Sequence, residues 1–120
     1  MPRPDLNSDQ WVKQPSGLET WDMKVGDGPE VKPGATVTVH YTGWLTDAAA
    51  TEFDSSKKSG KPISFPLTGV IKGWTDGIPG MKPGGIRLLK IPGDLAYGKR
   101  GFPGAIPPDA MLVFEVELVK

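Results

Sequence analysis

The stretch TVTVHYTGWL, residues Thr36 to Leu45, carries the clearest fold signal in the sequence. It is rich in β-branched and aromatic residues, which pack well on a pleated sheet. Successive side chains of a strand point to opposite faces, so the apolar Val37, Val39 and Tyr41 share one face. This stretch therefore predicts a strand with one buried face.

The same alternation of apolar and polar residues recurs on both sides of this stretch. It predicts further strands over residues 18–25, 63–67, 86–91 and 111–119. In the first of these, Trp21, Met23 and Val25 share the apolar side. The last predicted strand has an inward set, Leu112, Phe114, Val116 and Leu118, and an outward set, Val113, Glu115 and Glu117.

One helix is predicted within VIKGWTDGIPGM, residues 70–81, where Val70, Ile71, Trp74 and Ile78 stand at helical spacing. Thr68 is the candidate N-cap, and the Pro79–Gly80 pair is expected to end the helix. The predicted fold class is α+β: an antiparallel sheet of about five strands wrapped over one short α-helix.

The chain of 120 residues has the length of one domain. Residues 1–16 lack apolar periodicity and are predicted to form a flexible N-terminal arm, with the folded domain over 17–120. Trp11 and Val12 offer an alternative, in which they pin part of the arm to the domain surface.

The composition disfavours several classes of function. Lys plus Arg and Asp plus Glu each number 14, which argues against nucleic-acid binding and against a polybasic membrane contact. Cysteine is absent and His40 is the single histidine, so a metal site or a Ser-His-Asp triad is not expected. The sequence also lacks the Gly-rich motifs that bind nucleotides. No cofactor is predicted.

What remains is a set of aromatic residues and one carboxylate. Asp54 directly follows Phe53, in a segment that otherwise resembles a core, and a carboxylate in such a place needs partners. Two interpretations stay open: a hydrogen bond from the Tyr41 hydroxyl, or a local turn in which Asp54 bonds the backbone of FDSS. The aromatic set, which is either a core or a binding site, comprises Tyr41, Phe53, Phe65, Trp74, Tyr97, Phe102 and Phe114.

Six motifs occur in order along the chain: VHYTGWL, FDSS, VIKGW, AYG, GAIPPDA and LVFEVEL. Their order and spacing resemble those of the FKBP-type peptidyl-prolyl cis–trans isomerases, the family that binds tacrolimus and rapamycin. The resemblance runs from about Gly17 to Lys120 and is nearest to the single-domain bacterial-type members. It implies a sheet wrapped over a short helix, with a pocket between the two.

Laid onto matching positions, the resemblance implies catalytic roles for Tyr41, Asp54, Tyr97 and Ile71. Asp54 would sit at the rim, while the Tyr97 hydroxyl and the Ile71 backbone N–H would hold carbonyl groups. Trp74 would form the pocket floor. The substrate-binding positions implied are Phe53, Ile63, Phe65, Val70, Trp74, Phe102, Ala105, Ile106 and Phe114.

The sequence departs from the family pattern mainly at the rim of this pocket. Phe102 stands where histidine is common, Ala105 where a larger aliphatic residue is common, and Ile63 where an aromatic one is frequent. Ser59 replaces an arginine that in some members pairs with the aspartate. These differences are expected to affect substrate preference more than activity.

The resemblance implies a peptidyl-prolyl cis–trans isomerase that acts on proline-containing peptides and folding proteins, with tacrolimus and rapamycin as inhibitors. The alternative is a non-catalytic proline-peptide binding or chaperone module using the same groove, and a third is an unspecialised α+β domain. A monomer is expected, with no nucleic-acid or membrane partner. A cytoplasmic location is the expectation, with a removed export signal as the alternative; the missing apolar stretch at the N-terminus decides little between them.

Overall fold

Seven strands and one short α-helix form the fold in the computed structural model, which describes residues 3–120. The strands are β1 (Val12–Lys13), β2 (Glu19–Lys24), β3 (Thr36–Leu45), β4 (Glu52–Ser55), β5 (Ile63–Pro66), β6 (Ile86–Ile91) and β7 (Leu112–Leu118). The helix α1 spans Lys72–Gly77, and short 3-10 helices span Ser56–Lys58, Gly93–Leu95 and Gly98–Arg100. The α+β class is confirmed, but the prediction of about five strands was too low because it missed β1 and β4.

All strand pairs of the sheet are antiparallel, in the order β1-β2-β6-β7-β3-β4, with β5 also paired to β3. The long strand β3 is the centre of this arrangement. It pairs with β7 along one edge, and with β5 and then β4 along the other. Strand β3 therefore pairs with three other strands.

The inner face of the sheet packs against α1 to form the main core. Val37, Val39 and Tyr41 are buried there, as the alternation of β3 predicted. The helix lies so close to β6 that a Cβ atom on Gly73 would meet Ile91 Cδ1 at 2.5 Å. The glycines that lower the helix propensity therefore allow this close packing.

The helix differs at its start from the sequence prediction. It begins at Lys72, and its N-cap residue is Ile71, which makes no side-chain capping hydrogen bond. The candidate N-cap, Thr68, was therefore wrong. A different threonine ties the helix to the preceding loop, since Thr75 Oγ1 donates to the Leu67 carbonyl at 2.7 Å.

The outer face of the sheet holds a second, smaller buried group that the sequence did not indicate. Val113 was predicted to point outward into solvent, yet it is fully buried beside its cross-strand partner Trp44, which is 2 % exposed. Leu88 is buried on the same face. The alternation was correct, but its assignment of this face to solvent was wrong.

The N-terminal segment covers part of this outer face. Arg3 Nη1 donates to the carbonyls of Leu45 and Asp47 at 2.9 and 2.7 Å, and Lys90 Nζ donates to the Leu6 carbonyl at 2.9 Å. A segment that was expected to be flexible thus contacts β3 and β6, while Met1 and Pro2 lie outside the described residues. The partition into an arm and a domain stays a prediction.

Trp11 of the same segment contacts the edge of the sheet, whereas Val12, named with it in the alternative interpretation, is 59 % exposed. The Trp11 ring packs edge-on against Trp21, with centroids 5.5 Å apart, and Lys90 Nζ lies 4.9 Å from the Trp11 ring. Of the apolar set predicted for the strand over 18–25, only Trp21 is half-buried, whereas Met23 and Val25 are 57 % and 71 % exposed. Among residues 3–120, no helix is long and apolar enough to cross a bilayer.

Candidate active site

A cavity of about 440 Å³ opens between the start of α1 and the inner face of the sheet. It is lined mainly by aromatic side chains from β3, β4, β5 and β7. The lining residues are Tyr41, Phe53, Asp54, Phe65, Gly69, Val70, Ile71, Trp74, Tyr97 and Phe114. All but one were candidates from the sequence. Gly69 was missed, since a residue without a side chain gives no aromatic or polar signal.

Trp74 lies in the helix and is 4 % exposed. Three rings surround its indole edge-on, those of Tyr41, Phe65 and Phe114, with centroids at 5.2, 5.4 and 5.4 Å. Edge-to-face contacts of this kind are favourable beyond the area they bury. The buried indole N–H has no hydrogen-bond acceptor within the described residues. The result is a rigid apolar floor.

Phe53 and Phe114 form one wall, with ring centroids 5.5 Å apart and planes at 88°. Both rings rest on Gly43 of β3. A Cβ atom there would meet Phe53 Cζ at 2.6 Å and Phe114 Cε1 at 2.8 Å. Glycine is therefore required for this wall to close, although nothing in the sequence pattern marked Gly43 as part of the site.

Asp54 stands at the rim and is exposed on β4. Its Oδ2 accepts a hydrogen bond from the Tyr41 hydroxyl at 2.7 Å, and its Oδ1 accepts one from the Ser55 backbone N–H at 2.9 Å. The Tyr41 interpretation therefore holds, and Asp54 also bonds a backbone N–H of FDSS, but from strand β4 and not from a turn. Ser59, at the position of a possible cationic partner, instead donates to the Ser56 carbonyl at 2.9 Å. The carboxylate is held by a neutral phenol and a backbone amide.

The electrostatics of the rim keep its two phenols protonated. Burial raises the pKa of Tyr41, and the hydrogen bond to Asp54 and the charge of Asp54 raise it further. Burial also raises the pKa of Tyr97, again with a contribution from the Asp54 charge. Since free tyrosine ionises only near pH 10, both hydroxyls are available as hydrogen-bond donors at neutral pH.

Two further candidate groups face the cavity from opposite sides. Ile71 is the N-cap residue of α1, so its backbone N–H precedes the hydrogen-bond ladder of the helix. Tyr97 lines the cavity from the loop between β6 and β7, with 37 % of the residue exposed. A carbonyl group entering the cavity would thus find a donor from the helix side and another from the loop side.

Four predicted substrate-binding residues do not line this cavity. Ile63 of β5 lies opposite Val39 of β3 and packs against the core. Ile106 is 6 % exposed within the core cluster, whereas Ala105 is exposed, and both border a separate groove of about 370 Å³. Phe102 is 55 % exposed. These four residues lie outside the cavity lining, and their part in substrate binding stays a prediction.

The geometry of the loop 101–110 explains why Phe102 and Ile106 do not line the cavity. Phe102 and Ile106 exchange two backbone hydrogen bonds of 2.8 Å, which close the loop on itself and direct Ile106 toward the core. The Phe102 ring then lies against Tyr97, with centroids 5.9 Å apart and planes at 74°. Phe102 thus contacts a cavity residue without lining the cavity.

A larger groove of about 690 Å³ lies between the N-terminal segment and the end of α1. None of its lining residues is aromatic. Its one basic group, Arg87, is already paired with Asp22 at 2.7 Å and donates to the Gly77 carbonyl at 2.8 Å. Because it lacks aromatic side chains and its one cation is already paired, this groove is the weaker candidate for a site.

A short helix packed inside an antiparallel sheet, with an aromatic cavity between them, defines a class of small α+β binding and isomerase domains. The family model described as FKBP-type peptidyl-prolyl cis-trans isomerase matches residues 28–119. The chain belongs to this family. Its activity is accordingly peptidyl-prolyl cis–trans isomerisation, which confirms the prediction from the six motifs.

Similar proteins support the same conclusion. The chain is 50 % identical over 101 residues to the FK506-binding protein of Neisseria meningitidis serogroup A, covering 82 % of this chain and 91 % of that protein. It is 57 % identical over 89 residues to the peptidyl-prolyl cis-trans isomerase FPR2 of Saccharomyces cerevisiae, covering 72 % of this chain and 65 % of FPR2. Neither relative favours the non-catalytic or unspecialised alternatives.

The fold has a solved counterpart in the crystal structure of FkpA from Escherichia coli. The two superpose with a TM-score of 0.86 at 44 % identity, over 95 % of this chain and 52 % of FkpA. This chain therefore corresponds to about half of FkpA.

Proposed function

We propose that the aromatic cavity is the isomerase site, that the proline ring of an Xaa–Pro segment lies on Trp74, and that Tyr41, Asp54, Tyr97 and Ile71 act around it. The observation that carries this proposal is the Tyr41–Asp54 hydrogen bond at the rim of a cavity with an aromatic floor. A flat, water-free floor suits a proline ring, and the donors at the rim suit the carbonyls on either side of it.

The chemistry needs no nucleophile. Rotation about an amide C–N bond has a barrier of about 18–20 kcal/mol, because twisting removes the resonance of the planar amide. The planar amide separates more charge than the twisted one, so a dry apolar cavity disfavours the planar state more. Each ~1.4 kcal/mol of such differential stabilisation accelerates the reaction tenfold.

The donors at the rim orient the substrate. The Tyr97 hydroxyl and the Ile71 backbone N–H hold carbonyl groups of the peptide, so that binding is strongest where the bond is twisted. Asp54 fixes the Tyr41 ring, which forms part of the wall beside Trp74. The carboxylate also places a negative charge at the cavity mouth, where the dipole of the rotating amide changes.

The ligands proposed are proline-containing peptides, folding proteins, and the inhibitors tacrolimus and rapamycin. Support for the inhibitors comes from the Neisseria relative, whose name states that it binds FK506. Support for an apolar residue before proline comes from the aromatic wall of Phe53 and Phe114. The monomeric state and the cytoplasmic location stay predictions.

The test is an isomerisation assay on short Xaa–Pro peptides, with and without rapamycin. The protein is expected to accelerate the slow isomerisation, which otherwise takes roughly tens to hundreds of seconds, and rapamycin is expected to abolish the acceleration. A folded protein that shows no acceleration at micromolar concentration would contradict the proposal.

Tryptophan fluorescence locates the ligand independently of activity. Trp74 is one of four tryptophans, and it alone lines the cavity. Rapamycin is expected to quench the fluorescence of the wild type and of Trp11→Phe, but not that of Trp74→Phe. Equal quenching in all three proteins would place the ligand elsewhere.

A further inference from the structure

A gap in the sheet lies directly beside the proposed site. Along one edge of β3, strand β5 pairs as far as Val39, and strand β4 pairs only from Thr42 onward. The backbone of Tyr41 lies between these two strands. A buried backbone N–H without an acceptor costs about 1–3 kcal/mol, so this position needs a partner.

The partner is a side chain. Ser56 Oγ accepts the Tyr41 backbone N–H at 2.8 Å, in the place where a backbone carbonyl of a paired strand would otherwise lie. Ser56 stands directly after β4, at the first residue of the 3-10 helix, and it is 1 % exposed. Its hydroxyl thus completes the hydrogen bonding of β3 where the neighbouring chain turns away.

The Ser56 hydroxyl is itself fixed by two further contacts. His40 Nδ1 lies 3.0 Å from Ser56 Oγ, and the Tyr41 carbonyl lies 3.4 Å from it. The oxygen can therefore accept the Tyr41 N–H while its own hydrogen points to His40 or to the carbonyl. Because Ser56 is 1 % exposed, its hydroxyl acts through these hydrogen bonds and not on a substrate directly.

The segment 54–56 accepts hydrogen bonds from both the backbone and the side chain of Tyr41. Asp54 accepts a hydrogen bond from the phenol hydroxyl at 2.7 Å, and Ser56, two residues later, accepts one from the backbone N–H at 2.8 Å. We propose that Ser56 is a positioning residue for the isomerase reaction, which sets the place of the Tyr41 ring between Asp54 and Trp74. This inference rests on the proposed function, because it acts through the Tyr41–Asp54 pair.

The test is a double-mutant cycle on the full chain, with Ser56→Ala, Tyr41→Phe and the two combined. Ser56→Ala is expected to lower kcat/KM about fivefold, corresponding to one net hydrogen bond. In the Tyr41→Phe background the same change is expected to alter kcat/KM by less than about twofold, because the coupling passes through the tyrosine hydroxyl. Ser56→Thr, which keeps the hydroxyl, is expected to restore most of the activity.

Ser64→Ala is the matched control. It removes another hydroxyl contact to β3, the 2.8 Å pair of Ser64 Oγ with Thr38 Oγ1, without touching Tyr41. Its kcat/KM is expected to stay within about twofold of the wild type, the span of an ordinary surface change. If Ser56→Ala lowers activity by equal factors in both backgrounds, the role of Ser56 is merely structural and the inference is overturned.

Stability is measured in parallel by urea unfolding. If Ser56→Ala is unfolded under assay conditions, Ser56→Cys takes its place in the cycle, since a thiol keeps the size but accepts hydrogen bonds weakly. If neither variant folds, Ser56 is required for folding of the sheet, and the positioning role is overturned.

The outcomes for Ser56 and for the proposed function are distinct. A wild type without isomerase activity contradicts the proposed function itself. A wild type that is active, and is weakened by Tyr41→Phe but unaffected by Ser56→Ala, overturns only the inference about Ser56.

Discussion

The Tyr41 hydroxyl donates to Asp54 Oδ2 at 2.7 Å and joins the centre of the sheet to the rim of the cavity. Tyr41 is 9 % exposed and belongs to the core, whereas Asp54 is exposed on β4. One hydrogen bond thus connects a residue fixed by packing to a carboxylate on the shorter strand β4. The shape of the cavity mouth depends on this connection.

Replacing Asp54 by alanine tests that dependence. Asp54→Ala leaves the phenol without its acceptor and is expected to lower kcat/KM about fivefold, since the exposed rim limits the net contribution to about 1 kcal/mol. Asp54→Asn keeps an acceptor without the charge and is expected to lie in between. Asp76→Ala, which removes an exposed carboxylate on α1, serves as the control in the same peptide assay.

Stability at alkaline pH should report the ionisation of Tyr41. Its pKa is raised in the folded protein by burial and by Asp54, so folding favours the protonated phenol. That stabilisation is fully present below the unfolded pKa of about 10 and is lost as the pH rises toward the folded pKa. Urea unfolding of wild type and Tyr41→Phe from about pH 8 to pH 11 measures it.

The difference between the two proteins removes the contributions to stability that both proteins share. The wild type is expected to lose stability relative to Tyr41→Phe above about pH 10, at a slope of at most ~1.4 kcal/mol per pH unit. Parallel curves for the two proteins would mean that the phenol is not protected by folding.

Strands in which apolar and polar residues alternate regularly were predictable from the sequence. The bounds of β3 and β6 agree with the prediction, and the inward set of β7 is buried, because each strand has one face against a single core. The aromatic residues of the cavity lining stood out in the sequence, and the resemblance carried by the six motifs implied their role. The alternation of apolar residues and the family motifs therefore predict the inner face of the sheet.

What the sequence did not reveal depends on contacts between distant segments. Val113 looks solvent-facing by alternation, and only the pairing with Trp44 and the nearby N-terminal segment explain its burial. Gly43 and Ser56 matter because of what they meet across the sheet. Strand β4 has a single apolar residue, Phe53, so it shows no alternation of apolar and polar residues from which a strand could be predicted.

Gly43 should be sensitive even to a methyl group. In Gly43→Ala the Cβ atom would lie 2.6 Å from Phe53 Cζ and 2.8 Å from Phe114 Cε1, so both rings of the wall must move. Overpacking of this kind costs about 1–3 kcal/mol. Isomerase activity and rapamycin binding are both expected to fall, about tenfold if the ring shift removes one or two kcal/mol of transition-state contact.

Gly77→Ala separates a loss of stability from a change in the wall. Its Cβ would meet Leu89 Cδ2 at 2.8 Å, behind the helix and away from the lining residues. Gly77→Ala is expected to lower the free energy of unfolding by about as much as Gly43→Ala does, while rapamycin affinity is kept. Equal loss of affinity in both variants would show that the wall geometry is not what Gly43 protects.

Trp11 provides a test of the N-terminal segment. Its ring meets Trp21 edge-on at 5.5 Å, and Lys90 Nζ lies 4.9 Å from it. Trp11→Ala removes both contacts and is expected to lower the free energy of unfolding by about 1–2 kcal/mol. Isomerase activity should stay within about twofold, because the contact lies on the outer face of the sheet.

The neighbouring Val12, 59 % exposed on β1, supplies the control. Val12→Ala keeps the backbone pairing of β1 with β2 and is expected to change stability by less than about 0.5 kcal/mol. If Trp11→Ala is equally neutral in urea unfolding, the segment does not pack on the sheet in solution and the sequence prediction of a flexible arm holds. A clear loss for Trp11 alone, reduced when Trp21 is also replaced, would show that the two rings stabilise the outer face directly.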